Sequence, residues 1–170
     1  GAAIATAVSA CATTTSPTGR TQYVGAVSQE QLNQLGEQAF LQAKSKTPQS
    51  RDGRQNAYVG CVVDAIVRQL PPQWRQLRWE EALFADQATN AWALPGGKVG
   101  VNDGIFKAAK NQDQLAGVIA HEIGHVVSRH HDERITRQAL ASGVLQVGGA
   151  VAGARYGEGV GSAVTQGGGI

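Results

Sequence analysis

The sequence has no methionine, two cysteines and little net charge, and each scarcity excludes something. Without methionine even at position 1, the natural start of the chain is expected upstream of Gly1. A formal net charge of +2 is too small to argue for nucleic acid as a partner. The glycine- and alanine-dominated stretch after Val147 carries Arg155 and Glu158 and has no unbroken apolar run, which excludes it as a membrane span. No internal repeat is present. Glycine, by contrast, is abundant at 22 residues, concentrated toward the C-terminus. At 170 residues the chain is long enough for one compact domain with a real core, and its apolar share of 42% and charged share of 16% exclude wholesale disorder.

The two cysteines sit in different contexts. Residues 1–10 are small and apolar, as at the end of a signal-peptide hydrophobic stretch. Val8-Ser9-Ala10-Cys11 resembles a bacterial lipoprotein cleavage box, in which an aliphatic residue and two small ones precede an acylated cysteine. Cys11 is therefore the candidate lipidation site, and the Thr/Ser/Pro/Gly-rich run Thr13–Thr21 predicts a flexible tether over 11–27. A chain anchored in this way faces the periplasm. Ala12, where inner-membrane lipoproteins often carry Asp, points to the outer membrane. An acylated Cys11 leaves Cys61 without a disulfide partner, and Gly60-Cys61-Val62-Val63 predicts a buried core thiol.

Residues 28–170 are expected to form the folded domain. Ser28 and Gln31 make a capping-box pair ahead of a helix with Leu32, Leu35, Ala39 and Phe40 on one stripe. A second helix is expected over 55–70, stopped by Pro71-Pro72. The period then shortens. Strands are expected over 77–85, Asn90–Leu94 and Lys98–Val101, the last two joined by Pro95-Gly96-Gly97. Asp103 is expected to cap a short helix through Lys110. Apolar spacing from Leu115 to Val127 predicts a helix over 113–129, with helix resuming or continuing through Ile135, Leu140 and Val144.

His121-Glu122-Ile123-Gly124-His125 lies on that helix and carries the chemistry. Histidines four apart project from one face about one turn apart, so both imidazoles can bind one Zn²⁺ at about 2.0–2.1 Å. Zinc lowers the pKa of a coordinated water from 15.7 toward about 7 and polarises a carbonyl. Glu122 is placed to take that proton as general base and deliver it to the leaving amine. Val118-Ile119-Ala120 and Val126-Val127 would bury the helix around the site.

The third ligand is harder to place. His131 has the spacing of a three-histidine metzincin site, but that pattern needs glycine where Ser128 stands and a methionine turn. On a continuous helix His131 points well away from His125, and His130, about 140° around, is expected to be structural or at the surface. Glu133 would lie about 12 Å further along the axis, too far to close on the same ion. Glu158, in the glycine-rich tail, has no ordered frame.

The ordered set Asn90–Gly97, Val99–Gly104, Leu115–His125 and Arg129-His130 resembles the gluzincin zinc metallopeptidases of the HtpX and CAAX prenyl protease type, nearest the soluble periplasmic BepA/LoiP-like lipoproteins. The resemblance covers about Ser28 to Gln138. It implies an α+β, mostly helical metallopeptidase domain with a small sheet beside the zinc-binding helix. It also implies that Asn90, Ala91, Trp92, Ala93 and Leu94 offer a strand edge to substrate backbone, an arrangement compatible with β-augmentation. The family's third ligand is a glutamate within a later Glu-x-x-x-Asp pattern. None follows His125 here, so that ligand is expected beyond Ile170, in a chain truncated at its C-terminus. The implied activity is metallo-endopeptidase cleavage of unfolded or membrane-associated proteins in envelope quality control. The alternative is a non-catalytic, client-binding lipoprotein with a degenerate zinc site.

Overall fold

The computed structural model describes residues 12–141. The signal-like segment 1–10, Cys11, Val144 and the tail with Glu158 lie outside the described residues.

Three strands form the central sheet: β3 (Glu80–Phe84), β4 (Ala91–Leu94) and β5 (Lys98–Asn102), in the order β3-β5-β4. β5 runs parallel to β3 and antiparallel to β4. The Pro95-Gly96-Gly97 turn joins β4 to β5, and Gly96 and Gly97 both take positive φ, which a side chain would resist. Alternation sends Leu83, Ala91, Ala93, Val99 and Val101 to one face and Ala82, Phe84, Trp92 and Leu94 to the other. Trp92 lies across Gly100, where an added Cβ would come within 2.2 Å of its ring.

Helix α1 (Gln29–Lys46) covers the second face with Ala39 and Phe40. Its capping box forms as expected: Ser28 Oγ accepts from Gln31 N–H, and Gln31 Oε1 accepts from Ser28 N–H. Helix α2 (Gly53–Arg68) covers the first face with Val59, Val62 and Val63. It starts earlier than the apolar pattern suggests because Asp52 accepts from the N–H groups of Arg54 and Gln55. Cys61 corrects an expectation: it is exposed, because α2 turns its 59/62/63 face inward and position 61 falls off that face.

One short turn of helix, α3 (Pro72–Arg75), follows. Residues 77–79 belong to the turn after it, held by the Trp79 indole N–H donating to the Trp74 carbonyl at 2.8 Å, so β3 starts later than expected. Asp103 does not cap. Asn102 occupies the cap position of a 3-10 turn (Asp103–Lys107), and Asp103 accepts from the Gln87 side-chain amide instead.

Helix α4 (Gln112–Val127) packs under β4 and α2, burying Leu115, Ile119, Ile123 and Val126. Of the two courses expected beyond it, helix resumes rather than continues. Arg129 adopts φ 55, and a separate helix α5 (His130–Ala141) leaves in a new direction. The expected tether is also corrected. Residues 12–24 form a hairpin, β1 (Ala12–Thr15) against β2 (Thr21–Val24), that packs on α5. Threonine-rich alternation suits a strand, and the long-range polar contacts described below hold it in place.

Candidate metal centre

Ile123, inside the motif, is fully buried and pins the middle of α4 to the core. That leaves His121 exposed and Glu122 and His125 half-buried on the opposite side. The Nε2 atoms of His121 and His125 stand 3.2 Å apart. A tetrahedral ion with bonds of about 2.0–2.1 Å holds two ligand nitrogens about 3.3 Å apart. The spacing thus fits two ligands of one ion without rearrangement. Burial, with His121 and His130 alongside, pushes the His125 pKa down, which favours the neutral ring that a metal requires.

A carboxylate oxygen of Glu122 lies within 4.8 Å of both imidazole ligand atoms. Burial raises its pKa from the ordinary glutamate value, opposed in part by His121. A carboxylate made more basic in this way is suited to accepting a proton. Among the described residues, His121, Glu122 and His125 form the group able to hold a metal ion.

The residues after His125 are placed by the break at Arg129. Ser128 N–H donates to the Gly124 carbonyl, Arg129 N–H to the Val126 carbonyl, and Arg129 Nη2 to Asp132 at 2.5 Å. His130 thereby swings back, its Nδ1 2.7 Å from His125 Nδ1. His130 is at the surface, as expected, and the break adds a contact to His125 that a continuous helix would not allow. His131 goes elsewhere: its ring donates to the Ala93 backbone carbonyl, and burial lowers its pKa to about 4. The helix break that a three-histidine site needs is present, but His131 is not part of the metal group.

Glu133 is not a ligand either, for a reason different from axial distance. It is buried and receives two hydrogen bonds from Arg20, at 2.7 and 2.6 Å, together with Gln22 and Arg137. Asp132 accepts from Gly25 N–H and Thr136, and Gln22 also donates to the Ser128 carbonyl at 2.7 Å. The hairpin thus clamps the turn that follows the metal helix. Each of these contacts between hairpin and helix joins residues more than 100 positions apart, so local sequence could not show them.

β4 lies at an edge of its sheet, next to α4. Asn102 N–H donates to the Asn90 carbonyl, which fixes the antiparallel phase: Trp92 and Leu94 bond toward β5, whereas Ala91 and Ala93 turn their backbone groups outward. His131 takes the Ala93 carbonyl.

An α+β domain with two convergent histidines and an intervening glutamate on one helix has the site of a metal-dependent hydrolase. The model of Peptidase family M48 matches residues 53–166, and the chain belongs to that family, whose members are metal-dependent peptidases. The chain is 49% identical over 59 residues to the mitochondrial metalloendopeptidase OMA1 of Schizosaccharomyces pombe, covering 35% of this chain and 18% of that one. It is 40% identical over 60 residues to a putative beta-barrel assembly-enhancing protease of Vibrio cholerae (35% and 12%). To the beta-barrel assembly-enhancing protease of Escherichia coli it is 36% identical over 66 residues (39% and 14%). The chain therefore spans less than a fifth of the length of these relatives.

Proposed function

We propose that this protein is a zinc metallo-endopeptidase of the bacterial cell envelope, acting on unfolded or membrane-associated proteins. The observation that carries the reading is the 3.2 Å approach of two Nε2 atoms with a basic, half-buried carboxylate beside them. His121 and His125 would hold the zinc. The metal supplies Lewis acidity and an acidified water. Glu122 accepts the proton of the attacking water and passes it to the departing amine. The outward N–H and C=O of Ala91 and the N–H of Ala93 receive the substrate as an added strand, so Asn90–Leu94 sets the register of the scissile bond over α4. Envelope placement draws on the cleavage-box pattern ending at Cys11, whose acyl chains would anchor the protein to the outer membrane. The relatives named as beta-barrel assembly-enhancing proteases support the same placement. Among the described residues, no helix is long and apolar enough to cross a membrane.

Glu122→Gln tests the reading. General-base catalysis contributes about 10²–10⁴-fold, so cleavage of an unfolded substrate by the full-length protein should fall by that factor while bound zinc is retained. Undiminished cleavage would refute the assignment of Glu122. Client binding that ignores chelator, without cleavage by the unsubstituted protein, would favour a non-catalytic module.

A further inference from the structure

Glu122 and the two metal-binding histidines leave His130 unused, and its position is costly to arrange by chance. On an uninterrupted helix a residue five beyond His125 lies about 140° away and cannot touch it. Here the positive φ of Arg129 turns the chain, and His130 Nδ1 comes to 2.7 Å from His125 Nδ1 with the rings tilted 49°. The turn is held both from the hairpin and from within α5. Gln22 donates to the Ser128 carbonyl, Arg129 pairs with Asp132, and Arg20 grips Glu133.

Two ring nitrogens at that distance share one proton. If His125 binds metal through Nε2, its only proton sits on Nδ1, so His125 is the donor. His130 must then accept at Nδ1 and carry its own proton at Nε2. The opposite assignment would put a proton on His125 Nε2, where the metal lone pair is needed. Ligand histidines generally donate their second N–H to an acceptor that fixes tautomer and ring orientation, and losing that acceptor typically costs 10–100-fold in metal affinity.

We propose that His130 is a positioning residue for the metal site: it accepts the His125 Nδ1 proton and holds the His125 ring in its ligating tautomer, with the β1–β2 hairpin bracing the turn that presents it. This rests on the reading of His121 and His125 as zinc ligands.

The test is zinc affinity, measured by competition with a chromogenic chelator on the full-length protein. Three forms are compared: unsubstituted, His130→Leu and His130→Asn. Asn places its Oδ1 where His carries Nδ1, so it keeps the acceptor, whereas Leu keeps only bulk. His130→Leu is expected to bind zinc 10–100-fold more weakly. His130→Asn should stay within about threefold of the unsubstituted protein. Because His130 is exposed, the metal-free forms should unfold at the same temperature within about 2 °C, which separates positioning from folding. In the zinc-loaded protein, imidazole ¹⁵N shifts should report His125 protonated at Nδ1. Equal affinity in His130→Leu, or an equal loss in His130→Asn, would overturn the proposal. Failure of the unsubstituted protein to bind zinc would instead overturn the reading beneath it.

Discussion

His131 shows how much a single side chain in this fold depends on its setting. Burial, reinforced by Arg134 and opposed by the Ala93 carbonyl, brings its pKa to about 4 from an ordinary 6.5. The folded chain therefore refuses a proton that the unfolded chain accepts. Its contribution is intact above about pH 6.5 and lost progressively as pH falls toward 4, reaching on the order of 3 kcal/mol. Urea midpoints at pH 7 and pH 4.5 should diverge in the unsubstituted protein and diverge much less in His131→Gln. An equal divergence in both would contradict the assignment. The same residue marks a limit of sequence reading. Its spacing from His125 was legible, yet its partner is a carbonyl on β4, and no local pattern announces that. Cys61 was misplaced for a related reason: a flanking pair of valines suggests burial, but which face a helix turns inward is decided by the sheet it covers.

At the scale of elements, what could be read was what local chemistry dictates. The Ser28/Gln31 capping box, the Pro95-Gly96-Gly97 turn and the apolar spacing around His121 each specify their structure within a few residues, and each formed. Whether helix continues past α4 or resumes as α5 could not be read, since neither glycine nor proline marks the break and Arg129 takes positive φ under tertiary restraint. Glu133 is central to that restraint. Hydrogen bonding from Arg20, then Gln22 and Arg137, lowers its pKa to about 2. The stabilisation it provides is present above the unfolded value of about 4.5 and disappears as pH falls through 2. Glu133→Gln should release the hairpin locally. Trypsin should then cleave after Arg20 about tenfold faster at neutral pH, while hydrogen exchange in the α4 core stays unchanged. Unaltered cleavage would mean that the hairpin is held by something else.

For the molecule as a whole, the sheet divides the labour. α1 closes one face with Phe40 against Trp92, and α2 and α4 close the other around Val99 and Val101. That arrangement sets the metal helix beside an edge strand, and the hairpin fastens the turn beyond it. The same frame brings His121, Glu122 and His125 together on one helix. The most direct measurement is the zinc content of purified full-length protein after dialysis against trace metal. One equivalent should remain in the unsubstituted chain and in Glu122→Gln, and less than about a tenth of that in His121→Ala and His125→Ala. Zinc retained at one equivalent by both alanine variants, or absent from the unsubstituted chain, would contradict the account.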